Sequence, residues 1–550
     1  MKRRNVLIRF MVIVLLLGFI FGGNQLINAA TPKPITFTVF IGAPGQQPTP
    51  DNKIYKLIQK ELGVTLKFEF LVGDIDQKLG VMIAGEDYPD IITGHTRLIN
   101  AGALIPLEDL IKKNCPTLWK HYEPYLNMVK EPSDGHFYIM PNYGRYYGEY
   151  RATDFWGPAF YIQKAVLKEF GYPKVKTLDQ YFDLIEKYKA KYPEIDGMPT
   201  IGFEILGYSW RNWGLKNPPQ HLIGHPNDGG VVVDYFGKTY KAEIFADKDY
   251  AKRYYKKLNE MNAKGLIDRE TFTLTYDQYM AKMSSGRVLG TFDQKWNFNN
   301  ANTSLIMQKK YERTYAPTTP VFDPKTTKDW YMDRTVLNLN NGFAITKKCK
   351  DPVRFLKFLD ALLSEKWQKI LQWGIKGEDY LVDQKGIFYR NEKQRAEQND
   401  LTWQLANRAQ TIIDYAPKME GTFKDGNATS AGIQPGEFYD SLNSFDKEFL
   451  AGYKYKTWAD FFSPPPPNPI PYPAWQINLV DGTPAKITDT KLNDLAMKYL
   501  PKAILADPAD FDKVWDEYVT EIHKLDIKAY EDRINEQIQW RLKNWGPTKK

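Results

Sequence analysis

Residues 35–107 confine the chain to one kind of architecture, because two hydrophobic periods alternate along them. Ile35-Thr36-Phe37-Thr38-Val39-Phe40 and the run from Val64 to Leu71 have the period of strands. Between them Ile54, Leu57, Ile58 and Leu62 recur at helical spacing, with Asp51 as the expected N-cap and Gly63 as the stop. Strand, helix, strand in this rhythm is a βαβ unit and predicts a largely parallel sheet. A second unit follows at once. Leu79, Val81, Met82 and Ile83 form an apolar helical run closed by Gly85, and Pro89 stops any continuation. Asp90-Ile91-Ile92 then reads as a short buried strand running into Thr93-Gly94-His95, with another helix beyond. Ligands in open α/β sheets sit beyond the carboxyl ends of strands, which makes Thr93 and His95 candidate ligand-facing residues.

The N-terminus has the form of a secretory signal. Lys2, Arg3, Arg4 and Arg9 flank an apolar run from Phe10 to Phe21 broken by Gly18. That run is about 12 to 14 residues, short of the roughly 20 that a membrane span needs. We expect residues 1–30 to be a signal peptide cut after Ala29 or Ala30, with retention as an N-terminal anchor as the alternative. The first cysteine is Cys115, so no lipid-attachment cysteine stands near the cut. Removal of residues 1–30 would take the net charge from +8 to about +4. So small and scattered an excess argues against nucleic acid as a partner. With only Cys115 and Cys349, in different segments of an exported chain, a large core must supply stability without disulfides. A mature chain of about 520 residues implies two lobes or more.

Farther along, Gly135 to Pro141 reads as a small hairpin, followed by Tyr143, Tyr146, Tyr147 and Tyr150. From Ala159 the pattern is mainly helical. Thr177 and Gln180 make a capping-box start, and Pro352 occupies the first position of another helix. Pro464 to Pro467, with Pro469, Pro471 and Pro473, can be neither helix nor central strand and is expected to strap across a surface.

Catalytic signatures are weak. The six histidines are scattered; His221 and His225 have i,i+4 spacing but lie beside Pro218 and Pro219, without the glutamate of a metalloprotease helix. No nucleophile elbow, P-loop or dinucleotide fingerprint occurs. The 35 Tyr, 30 Phe and 14 Trp are compatible with core packing or with a ring-lined cleft. Sugars present apolar C–H faces edged with hydroxyls, so a site for them needs flat rings bordered by amide, carboxylate and guanidinium groups. Candidate platforms are Trp156, Trp210, Trp213, Trp296, Trp330 and Trp373, with Tyr146, Arg211 and Asp293 beside them. Trp210-Arg211-Asn212-Trp213 is the sharpest, and Asp293 stands three residues before Trp296.

A series of collinear motifs resembles one family. Gly85-Glu86-Asp87-Tyr88-Pro89-Asp90 with Gly102-Ala103-Leu104-Ile105-Pro106-Leu107 opens it. Gly265-Leu266-Ile267-Asp268, Met283-Ser284-Ser285-Gly286-Arg287, Asn341 to Ile345 with Cys349-Lys350-Asp351-Pro352, Gln372 to Tyr380, and Phe511 to Val519 follow in order. Together they resemble the large sugar-binding lipoproteins of bacterial ABC importers, the family 1 extracellular solute-binding proteins. The resemblance implies an α/β, two-lobe periplasmic-binding-protein-like fold with a hinge and a mainly helical C-terminal half. It implies lobes of 31–150 plus about 295–350 and of 151–294 plus about 351–550, with crossings near 150–156, 291–296 and 350. It further implies an extracytoplasmic monomer, without catalysis, cofactor or metal, that closes on an oligosaccharide and delivers it to permease subunits. Some relatives carry a calcium loop after the Thr177-type helix; Tyr192 to Gly197 has too few oxygen ligands for one. A secreted glycosidase or lyase, or a binder of peptides or other solutes, remains the alternative.

Overall fold

The computed structural model describes residues 33–545 apart from Arg151, Phe236 and Asn340. The expected signal segment, 1–30, lies outside the described residues. Among these residues no helix is long and apolar enough to cross a membrane.

Two sheets organise the chain. The first takes β1 (Ile35–Ile41), β2 (Val64–Phe70), β3 (Ile91–Thr93) and β4 (Ile139–Pro141). The second takes β5 (Pro158–Gln163), β6 (Ile201–Glu204), β7 (Val288–Gln294) and β8 (Tyr315–Thr318), after which β9 (Gly342–Ile345) returns to the first. The orders are β2-β1-β3-β9-β4 and β8-β5-β7-β6. As the βαβ reading predicts, β1 is parallel to β2 and β3, and β9 enters antiparallel to β3 and β4. In the second sheet β6 and β7 are parallel, and β5 runs opposite to β7 and β8. Ile139–Pro141 is therefore an edge strand of the first sheet, and the local hairpin turn lies just before it, where Lys130 bridges Phe137.

Local signals set the helix ends. Asn52, not Asp51, caps the helix Lys53–Leu62: its Oδ1 accepts from Ile54 N at 3.0 Å and Tyr55 N at 3.1 Å. Its Nδ2 donates to the carbonyls of Leu405 and Arg408, so the cap also anchors the helix Leu401–Asn407. Thr177 and Gln180 form the expected capping box of the helix Leu178–Lys191. Asp90 fastens the first sheet. Its Oδ2 accepts from Thr38 N and Oγ1, both at 2.9 Å, and its Oδ1 from Lys350 N at 3.1 Å. Burial alone would raise this carboxyl, but those bonds hold it below the usual value. The Pro-Asp and Cys-Lys-Asp-Pro motifs thus meet, 260 residues apart in sequence.

Core membership corrects the expected lobe boundaries. Residues 295–318 stay with the second sheet, since Phe298, Ala301, Leu305, Tyr315 and Ala316 pack in its core. The helices from Phe355 to Ala416 bury their apolar faces against the first sheet. From Phe438 to Ile538 the chain packs on the second core again. The first crossing runs between β4 and β5. The second follows Tyr331, which still packs in the second core, and leads into β9, and no crossing occurs at 291–296, because the helix Lys295–Met307 follows β7 directly. Periodicity marks an apolar face but not the core that face will meet.

The proline-rich strap lies along the second crossing: Asp333 Oδ2 accepts from Asn468 Nδ2 at 3.0 Å and Tyr472 N at 2.9 Å. It then reaches the first lobe, where Arg97 Nε donates to Asp481 at 3.1 Å. Glu194–Ile195 and Met198–Pro199 form a tight hairpin, turned by Asp196 at φ +53° and Gly197 at +74°. Cys115 and Cys349 are both unpaired.

Candidate functional site

The carboxyl ends of β6 and β7 open on one edge of the second sheet, because the two strands pair in parallel from Val288–Ile201 to Thr291–Glu204. After β6 the chain reverses at Ser209, held at φ +51°, into the turn Ser209–Arg211 and the short helix Trp213–Lys216. Gly214 lets this segment lie against β7: a Cβ there would stand 3.0 Å from the Phe292 carbonyl oxygen.

These junctions bring Trp210, Trp213 and Trp296 together. The ring centroids of Trp213 lie 5.2 Å from Trp210 and 5.3 Å from Trp296. Trp210 and Trp296 are within 14° of parallel at 6.2 Å. Each of these two is 42 % exposed, so the pair forms an open aromatic surface and not a core. Arg211 is buried against it, 4.4 Å from the Trp210 ring and 4.2 Å from Tyr276, and donates to Asn297 Oδ1. Burial lowers its pKa.

Asp293 fixes the arrangement. It accepts from Trp213 Nε1, Tyr279 Oη and Asn297 Nδ2, each at 2.8 Å, and from Gln294 N at 2.7 Å. Burial raises its carboxyl above the usual range. Its lone pairs are spent inside the protein, so it positions Trp213 and Asn297 and presents no acceptor to solvent. Trp156 is exposed, with Lys295 Nζ 5.4 Å from its ring and Lys295 ion-paired to Asp154. Its carbonyl accepts from Trp296 N at 3.2 Å, which ties the two backbones together.

The first lobe faces this surface. Ser209 Oγ donates to Asp74 Oδ2 at 3.3 Å, next to the strand-end loops. Arg211 lies near enough to Tyr415 for its charge to act on that phenol. Thr93 serves the sheet, its hydroxyl accepting from Gly42 N at 2.8 Å. His95 caps the helix Thr96–Asn100 through Nδ1, and burial lowers its pKa. Tyr146 packs on Tyr150 at 4.2 Å beside Glu420, whose strand pairs with Tyr146–Tyr147.

Two expected platforms stand elsewhere. Trp330 is partly buried against the second core. Trp373 is 1 % exposed in a small core with Tyr380, Phe388 and Phe423, and its Nε1 donates to Ala428 O at 2.9 Å. Tyr380 and Phe388, from the segment after it, pack on the ring, which local sequence does not announce. Tyr276, Asn297, Asp414, Tyr415 and Glu420 were not anticipated. Asn297 alone had a local signal, four residues after Asp293 at the start of a helix. No group of three or more His, Cys, Asp or Glu able to hold a metal occurs among the described residues.

Residues 53–374 match the sequence profile of the bacterial extracellular solute-binding proteins. The chain belongs to that family. This solute-binding protein is 28 % identical over 274 residues to the fructooligosaccharide ABC transporter substrate-binding protein FusA of Streptococcus pneumoniae, an alignment covering 46 % of this chain and 48 % of FusA. The chain thus spans about half the length of that curated relative. It is 22 % identical over 370 residues to lipoprotein LipO of Bacillus subtilis, covering 63 % and 68 % of the two chains. The structure of FusA in complex with kestose superimposes with a TM-score of 0.64 at 20 % identity, covering 93 % of this chain and all of FusA. A human-milk-oligosaccharide-binding solute-binding protein of Bifidobacterium longum infantis gives 0.65 at 14 % identity, over 93 % and 99 % of the chains. At these identities the superpositions establish the two-lobe α/β fold.

Proposed function

We propose that this solute-binding protein captures an oligosaccharide between its lobes and delivers it to the permease of an ABC importer, without altering it. The observation that carries this reading is the open indole surface of Trp210, Trp213 and Trp296, held by Arg211 and Asp293 at the strand ends of one lobe and facing Tyr415 of the other. Pyranose and furanose rings stack on such a surface through their C–H faces. A ligand touching both walls favours the closed state by its differential affinity alone. The similarity to FusA and to the Bifidobacterium protein, both oligosaccharide binders, points the same way. Export with a cleaved or retained N-terminal segment, and action as a monomer, complete the reading.

Intrinsic tryptophan fluorescence and thermal melting, measured against neutral and acidic oligosaccharides, test it. A saturable change with a raised melting temperature, and intact sugar after overnight incubation, is the expected result. Shortened products would make the protein an enzyme instead.

A further inference from the structure

The first-lobe wall carries two carboxylates whose surroundings set them apart from the many paired on the surface. Asp414 lies in the last turn of the helix Gln410–Tyr415, and Glu420 opens the short strand beside Tyr146. Asp414 Oδ1 accepts from Gln410 Nε2 at 2.7 Å and Glu420 Oε2 from Gly144 N at 2.5 Å. Among the described residues neither forms an ion pair, and each keeps its second oxygen open. Asp414 is exposed, yet it sits so deep among surrounding protein that loss of water raises its carboxyl; Glu420 is raised in the same way.

Both carboxylates adjoin the aromatic surface. Tyr415, next to Asp414, feels the charge of Arg211. Tyr150 feels both Glu420 and Asp154, and Asp154 holds Lys295 beside Trp156. Asn142 supplies a further group. It is 3 % exposed, its Nδ2 donates to the Asp414 carbonyl, and its Oδ1 has no partner among the described residues.

Five basic groups near the cleft each have an acidic group close by. Arg408 stands in the field of Asp414 and Asp379, and Lys418 in that of Asp414 and Glu420. Lys295 is paired with Asp154, Arg211 lies near Asp293, and Lys216 near Asp489. Asp414 and Glu420, with no ion pair of their own among the described residues, place negative charge on this wall, and carboxylate oxygens accept strong hydrogen bonds from hydroxyls. A glycan with a carboxylate on each ring would add like charge in a poorly hydrated space.

Resting on the sugar-binding reading above, we infer that Asp414 and Glu420 are the hydroxyl-recognising groups of this cleft, and that its ligand is an uncharged oligosaccharide and not a uronate. Isothermal titration of the full mature chain with kestose, maltotriose and xylotriose, against trigalacturonate, tests this. At least one neutral trisaccharide should bind about tenfold or more tighter than trigalacturonate. Asp414→Asn and Glu420→Gln should each weaken the neutral sugar about tenfold, the scale of a lost charge-assisted bond, with the melting temperature of the unliganded protein unchanged. Trigalacturonate binding as tightly as the neutral sugars, or unchanged affinity in both folded variants, would overturn the inference and leave sugar binding standing. Binding in neither arm would remove the sugar reading itself.

Discussion

Truncating Trp210 to alanine puts a magnitude on the aromatic surface. The side chain is 42 % exposed, and a tryptophan offers up to about 250 Å², so about 100 Å² of it is open. A sugar ring covers one face, about 50 Å², which at about 25 cal/mol/Å² contributes about 1.2 kcal/mol. That is about an eightfold rise in Kd. Arg211 loses its contact with the Trp210 ring but keeps Tyr276 at 4.2 Å and its bond to Asn297, so the rest of the site should hold its shape. Titration calorimetry with the tightest-binding oligosaccharide reads the change, and melting of the unliganded variant separates a lost contact from a lost fold. Trp210→Phe keeps a flat ring and should cost less than threefold, on the order of 0.6 kcal/mol. The reasoning fails if Trp210→Ala and Trp296→Ala both bind within twofold of the parent, because the two most exposed rings of the cluster would then not meet the ligand.

Other substitutions test what lies beneath. Asp293→Asn leaves one acceptor oxygen for the buried donors of Trp213, Tyr279 and Asn297; each orphaned donor costs about 1–3 kcal/mol. The melting temperature and the ligand affinity should therefore fall together, and an unchanged melting temperature would contradict this account of the site. His121 and His221 are buried and pushed down to about 3, against about 6.5 in an unfolded chain. Between those values the unfolded chain binds more protons, so stability falls as the pH drops below about 6.5, by about 1.4 kcal/mol per unit for each histidine. His221, stacked on Tyr331 at 5.0 Å, can be replaced by phenylalanine. Urea unfolding at pH 7, 6 and 5 should show a shallower acid loss for His221→Phe, and identical slopes would count against the buried neutral state.

Much of the local structure was legible from residue order. The spacing of Ile54, Ile58 and Leu62, and the alternation of Val64 to Leu71, produce the helix and strand they predict because their period is a property of neighbouring residues. The Thr177 capping box formed for the same reason, and the prolines of 464–473 excluded regular structure by removing donors and fixing φ. Trp210-Arg211-Asn212-Trp213 and Asp293 to Trp296 stood out because their rings and polar groups are close in sequence, and they proved to be close in space.

What tertiary structure alone decided depends on pairings across hundreds of residues. The helix after β7 could have packed on either lobe; Phe298 and Leu305 joined the second core because β7 and β8 both lie in its sheet. Trp373 has the same chemistry as Trp210, yet one closes a small core and the other stays open, because burial depends on what the rest of the chain lays over a ring. Asp414 and Glu420 lay unmarked among 66 acidic residues. Only the fold, which brings their segment beside Asn142 and Tyr146 and opposite Arg211, removes their water and leaves them facing the cleft. Periodicity and capping act between neighbours and can be read along the chain, whereas hydration and field at a residue come from everything packed around it.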